Sequence, residues 1–195
     1  MSGRLRVTLE VDPIERVDCD LALVSLFEDV RPPAGNAGRA DWRLCGLLSE
    51  LLAHGQLAGR EGEAALVATA GRIAAPVLLC VGLGPRSGYD AAALERSLCR
   101  AFERIVALGV HSVALAPPGR GGADVVQGVR PLLVAALAAL DAPDRPALQV
   151  HLCVDAAEEG RTRREVERYG HSRRLELVAA PAAPAWRALA RPDGA

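Results

Sequence analysis

Three short, almost wholly apolar runs, set apart by stretches of helix length, constrain this chain more than any other feature of its sequence. They are Asp20 to Phe27, Pro76 to Val81 and His111 to Ala116, and Leu148 to Val154 reads as a further strand. A strand that is apolar at nearly every position must be covered on both faces, which is the habit of a sheet flanked by helices. The intervening stretches supply helices of the required kind. From about Asp41 to His54, Leu44, Leu47, Leu48, Leu51 and Leu52 recur at i, i+3, i+4, i+7 and i+8, with Asp41 as N-cap and Gly55 as the stop. From Asp90 to about Leu108 the apolar face is Leu94, Leu98, Phe102, Ile105 and Val106, and Gly109 ends it. A third pattern, from about Asp124 to Leu140, carries Val129, Leu132, Leu133, Ala136, Leu137 and Leu140; its Pro131 either kinks the helix or marks its effective first turn.

Strand and helix therefore alternate, and the expected architecture is an α/β/α three-layer sandwich. Two features make the sheet mixed rather than purely parallel. Ala64 to Thr69 and Pro76 to Val81 flank Ala70-Gly71-Arg72 and read as a hairpin, and Leu5 to Val11 alternates apolar and polar as a half-buried N-terminal strand. Glu158 to Arg174 is so charged that it reads as a solvated helix, with Glu159–Arg163 and Glu165–Arg168 at pairing distance. Leu175 to Val178 reads as a last strand. The expected domain is residues 1–180, followed by an Ala/Pro-rich tail at 181–195.

Composition narrows the function. Half of the 195 residues are hydrophobic but only 3% are aromatic, so Leu, Val and Ala must build the core and no aromatic platform for stacked bases exists. The net charge is −1, which argues against generic nucleic-acid binding. The cluster Arg161, Arg163, Arg164, Arg168, Arg173 and Arg174 is interleaved with Glu158, Glu159, Glu165 and Glu167 and reads as a solvated face. The chain has no lysine, which excludes any mechanism built on one. Its five cysteines are isolated and lie mostly in apolar runs, so they are expected as buried free thiols in a reducing, cytoplasmic setting. No stretch has the length and apolarity of a membrane span, and the N-terminus lacks the apolar core of a signal peptide.

Few residues look like a site. His54, His111, His151 and His171 have no metal-ligand spacing, and no Gly-x-Ser-x-Gly elbow is present, so neither metal, cofactor nor catalytic residue is expected. The candidate ligand-binding residues are glycines after strands. Gly119, Arg120, Gly121 and Gly122 sit between a buried strand and a helix, where backbone N–H groups and the helix dipole suit an anion and Arg120 can grip a phosphate. Asp124 would oppose that anion, and the bland alternative is a plain connecting loop. Gly82 and Gly84 end another strand. They read first as a structural turn, but ligands of open α/β sheets bind at such ends, so the two loops are candidates to line one cleft.

The order of these landmarks resembles the N-terminal domain of the leucyl (cytosol) aminopeptidase family. The resemblance rests on Asp20 to Phe27, on the helix Leu44 to His54 with the turn Gly55 to Glu63, on Pro76 to Val81 running into Gly82-Leu83-Gly84, and on the helix from Asp90 followed by the strand His111 to Ala116. It implies a macrodomain-like fold. It also implies that the chemistry of the family, two divalent metals held by Asp, Glu and Lys in a larger C-terminal domain with an Asn-Thr-Asp-(Ala or Gly)-Glu-Gly-Arg signature, has no counterpart in these residues. Two functions follow as expectations. One is a non-catalytic binding or assembly module, with a protein partner or a second copy of itself. The other is a macrodomain-type binder of ADP-ribose or a related nucleotide diphosphate.

Overall fold

The computed structural model describes residues 3–117, 126–141, 147–169 and 174–179. It contains seven strands in one sheet: β1 (Leu5–Glu10), β2 (Leu21–Leu26), β3 (Ala64–Ala68), β4 (Val77–Gly82), β5 (Ser112–Leu115), β6 (Leu148–Cys153) and β7 (Leu175–Val178). The helices are α1 (Gly35–Arg43), α2 (Leu47–Ala53), α3 (Ala91–Ala107), α4 (Val126–Ala139) and α5 (Ala156–Tyr169). The strand order is β3-β4-β2-β5-β6-β1-β7. Every neighbouring pair is parallel except β3 and β4, the expected hairpin, which turns through Ala70 and Gly71 at positive φ.

The two-residue period of a strand divides the core in two. Leu5, Val7, Leu9, Leu21, Leu23, Leu79, Val81, Val113, Leu115, Val150 and Leu152 face α3, α4 and α5, whose Phe102, Ile105, Leu132, Leu133 and Val166 are buried against them. Ala22, Val24, Leu26, Leu78, Cys80, Ala114 and Cys153 face α1 and α2, where Ala37, Ala40, Leu44, Leu48 and Leu52 pack. The second face is covered over β4, β2 and β5 only. Over β6, β1 and β7 it carries polar pairs: Gln149 donates to the Thr8 hydroxyl, His151 lies 3.0 Å from Glu10, and Arg6 lies 3.3 Å from Glu176. That is why β4 is apolar throughout and β2 is apolar at every position but Ser25, while β1 and β6 alternate.

Several local expectations shift. The helix expected from Asp41 to His54 starts earlier, at Gly35, and is two helices, because Cys45 (φ 59) and Gly46 (φ 85) take left-handed conformations that interrupt it. Asp41 lies inside α1 and caps the following helix instead. Its Oδ1 accepts from the backbone N–H groups of Leu48 (2.7 Å) and Ser49 (3.1 Å), and its Oδ2 from the Ser49 hydroxyl (2.5 Å). Pro131 lies inside α4, and α5 (Ala156–Tyr169) begins earlier than the charge pattern suggested, while residues 170–173 of that pattern lie outside the described residues. Asp90 caps α3 as expected, accepting from Ala93 N–H at 2.8 Å. Residues 181–195, expected as a tail, lie outside the described residues. Among the described residues no helix is long and apolar enough to cross a membrane.

Candidate functional site

In a parallel sheet the carboxyl ends of the strands lie on one edge, and the loops that leave them converge there. Here β1 runs into Val11, Asp12 and Pro13; β5 into Ala116 and Pro117; and β6 into Val154 and Asp155. Together with Gly35, Asn36 and Arg39 of α1 and Glu158 of α5, these residues line an open cleft of about 480 Å³.

Two helices start at this cleft, and their N-termini differ. The first turn of α5 supplies its own negative charge. The Asp155 carbonyl accepts from Glu158 and Glu159 N–H, and both glutamates sit in that turn. The first turn of α1 contains no acid, and its N-cap, Ala34, offers no side-chain acceptor. The first N–H groups of α1 therefore lack helical partners, and no acid in its own first turn offsets the positive end of its dipole. Arg39, one turn further along, is half-exposed and held in place by Glu15, whose Oε1 accepts from Nη2 at 3.1 Å. The cleft is thus polarised: α1 with Arg39 forms a positive wall, and Asp12, Asp155 and Glu158 form a negative one. Glu158 Oε2 is buried and meets no partner among the described residues.

The histidine and the thiol nearest the cleft are not arranged for nucleophilic attack. His151 Nδ1 bonds to the Glu10 carboxylate at 3.0 Å, and the nearby Cys153 thiol reaches only a weak 3.9 Å contact with the His151 carbonyl. Burial pushes the Cys153 thiol far above its ordinary range, and the Glu10 charge adds to the shift. Burial likewise raises Cys80 to about 12 and Cys19 to about 11. Cys45, by contrast, is exposed. The other described histidines lie away from the cleft: His54 bonds to the Glu50 carbonyl at the end of α2, and the His111 N–H donates to Asp20.

Of the candidate residues named from sequence, Gly82 and Gly84 lie at the end of β4 and do not line this cleft. Each has a packing reason to be glycine. A Cβ on Gly82 would collide with the Arg60 carbonyl oxygen and stand 2.7 Å from the Gly59 carbonyl carbon. Gly84 has φ +76 and donates to the Gly59 carbonyl at 2.9 Å. The turn that occupies this space is built on Glu63, whose carboxylate accepts from the N–H groups of Ala58, Gly59 and Arg60. Gly119, Arg120, Gly121 and Gly122 lie outside the described residues, which stop at Pro117 in the wall of the cleft. Asp12, Asn36, Arg39 and Asp155 were not singled out from sequence. The available signal was position: Asp12 and Asp155 each follow the last strand residue by two.

Comparison with known proteins bears on the fold and the family. A model of the N-terminal domain of the cytosol aminopeptidase family matches residues 23–140. A probable cytosol aminopeptidase of Alkaliphilus oremlandii is 22% identical over 130 residues, which is 67% of this chain and 25% of that protein. The chain spans a quarter or less of the length of the curated relatives it matches. Among solved structures, a mutant form of tomato leucine aminopeptidase is similar with a TM-score of 0.62 at 14% identity, over 83% of this chain and 35% of that one. The Trypanosoma brucei macrodomain in complex with ADP-ribose is similar with a TM-score of 0.66 at 17% identity, over 81% of this chain and 68% of that one. At such identities the likeness is one of fold.

Proposed function

Since the chain belongs to the cytosol aminopeptidase family, matching its N-terminal domain over residues 23–140, we propose that it works by recognition, as a binding or assembly module without peptidase chemistry of its own. The cleft at the carboxyl ends of β1, β5 and β6 carries this reading. It is open, and it presents charges of both signs and the N-terminal backbone donors of α1, with no activated nucleophile among the described residues. The sequence, without a lysine, lacks one residue type of the family's metal site. The test is an assay of the pure chain on leucyl-p-nitroanilide with added manganese or zinc. No turnover is expected, and metal-dependent hydrolysis would overturn the reading.

The polarity of the cleft favours a second, narrower reading, a nucleotide diphosphate such as ADP-ribose. Phosphates suit the N-terminus of α1, whose first turn holds no acid, and the Arg39 guanidinium. Ribose hydroxyls and an exocyclic amine are donors, and the carboxylates of Asp12, Asp155 and Glu158 are acceptors. The solved neighbour that holds ADP-ribose supports the choice of ligand. Gly119 to Gly122 and Arg120 remain candidates for the same diphosphate, while Gly82 and Gly84 would act only by shaping the neighbouring turn. Calorimetry with ADP-ribose, ADP and AMP tests it. ADP-ribose is expected to bind, and Arg39→Ala to weaken it about tenfold or more, the loss of one charge-assisted contact. Absence of heat at millimolar ligand removes this reading and leaves the broader one standing.

A further inference from the structure

The sheet has two edges, β7 and β3. On β7 the charged Glu176 pairs with Arg6. On β3 no such guard is present among the described residues: Ala64-Ala65-Leu66-Val67-Ala68 has no charge, no proline and no bulge. An edge of that kind is an open template for another strand. Its hydrogen-bonding direction follows from the pairing with β4. Gly82 N–H donates to the Glu63 carbonyl (2.9 Å) and Thr69 N–H to the Pro76 carbonyl (3.1 Å), in a continuous register from Ala64↔Val81 to Ala68↔Val77. In an antiparallel ladder alternate residues bond to one neighbour, so 63, 65, 67 and 69 turn toward β4. Ala64, Leu66 and Ala68 therefore turn their N–H and C=O groups outward. Their side chains are exposed too, and Leu66, 53% exposed, sits across from Leu79 at the margin of the larger core.

We propose that β3 pairs antiparallel with β3 of a second copy of this chain, about a two-fold axis through Leu66. The three outward residues are spaced by two and centred on Leu66. The axis sets Leu66 opposite the partner's Leu66, and Ala64 opposite the partner's Ala68. All outward groups are then satisfied by six hydrogen bonds, the number that three bonded residue pairs make. The register is unique because the strand is bounded by left-handed residues, Gly62 (φ 82) before it and Ala70 (φ 51) after it. Alanines flank the axis and no like charges oppose each other within the strand. The Leu66 pair leaves water as a cross-strand contact on one face, and the two sheets become one. The inference rests on the assembly half of the proposed role and uses none of the cleft residues.

Sedimentation equilibrium of the full chain, from micromolar to several hundred micromolar, is expected to show a monomer–dimer equilibrium. Leu66→Lys sets like charges at the axis and should raise the dissociation constant about tenfold or more. Leu66→Pro removes an N–H that the β3–β4 ladder does not use, and should do the same while leaving the thermal unfolding curve of the monomer in place. With Cys45 replaced by serine, Leu66→Cys should form a disulfide dimer on oxidation. Ala68→Cys alone should not, whereas Ala64→Cys with Ala68→Cys should. A monomer at every concentration, a dimer indifferent to both Leu66 variants, or cross-linking through Ala68→Cys alone would overturn the proposal. Because the Leu66 variants keep the cleft, ligand binding by them separates failure of dimerisation from failure of the recognition reading.

Discussion

Asp41→Ala is the perturbation whose cost the structure specifies most closely. The Asp41 side chain is buried, and its carboxylate is the acceptor for three donors: the N–H groups of Leu48 and Ser49 and the Ser49 hydroxyl. Leu48 and Ser49 belong to the first turn of α2, whose own N-cap, Gly46, offers no side chain. Loss of a capping acceptor alone costs about 1 kcal/mol, and a hydrogen bond to a charged group about 1.5–3 kcal/mol. The three contacts share one carboxylate and are not additive. The Leu48 N–H left behind is buried and the Ser49 donors are partly buried, so water replaces the carboxylate only in part. An overall cost of about 3 kcal/mol follows. Asp41→Asn keeps an oxygen where Oδ1 stands and gives up mainly the charge, so it should cost about 1 kcal/mol. For a chain of this size that is a fall in Tm of roughly 2–4 °C per kcal/mol. Urea unfolding followed by circular dichroism reads both variants. If Asp41→Ala costs less than about 1 kcal/mol, or Asn is as damaging as Ala, the carboxylate is not the cap of α2 and the reasoning fails.

Three further outcomes are expected. Gly82→Ala should destabilise by about 3 kcal/mol, since the added methyl meets the backbone of Gly59 and Arg60 and only movement of the whole turn relieves it; near-native urea unfolding would refute this. The Asp20 carboxyl is raised by burial but held below the usual range by N–H donors from His111 and Ser112, which outweigh it. Its contribution is thus present above the unfolded pKa and lost as pH falls through the lower folded value. The stability gap between wild type and Asp20→Asn should stay level near neutral pH and close under acid; a gap that widens in acid would contradict the sign. In thiol labelling at neutral pH, exposed Cys45 should react at once, while Cys19, Cys80 and Cys153 should react only on unfolding, because burial holds their thiols protonated and out of reach.

Most elements could be read from the sequence, for reasons that lie within a few residues of each. The period of two in β1, the apolar run of β4 and the run of β2 broken only at Ser25 state how each strand is covered. Asp90 precedes the periodic face of α3 by the spacing an N-cap needs. The β3–β4 turn follows from Ala70-Gly71-Arg72 between two short apolar runs. The break between α1 and α2 is not legible in the sequence because the leucines keep helical spacing across it. Only the left-handed backbone at Cys45 and Gly46, stabilised by the cap that Asp41 supplies from the preceding helix, divides them. The Gly82-Leu83-Gly84 run reads in sequence first as a structural turn and second as a candidate ligand loop, but what presses on its glycines is the turn from Gly59 to Glu63, which no spacing around β4 announces.

Local chemistry therefore determined which segments are strands, which are helices and that helices cover the sheet, since hydrophobic period, capping residues and turn residues act over a few positions. Strand order was decided only by tertiary structure. It is the insertion of β6 between β5 and β1 that carries Asp12, Arg39, Asp155 and Glu158 to a common cleft. These residues are separated by up to most of the chain, and no spacing along the sequence encodes their meeting. It results from the packing of whole elements, where long-range burial outweighs any local preference.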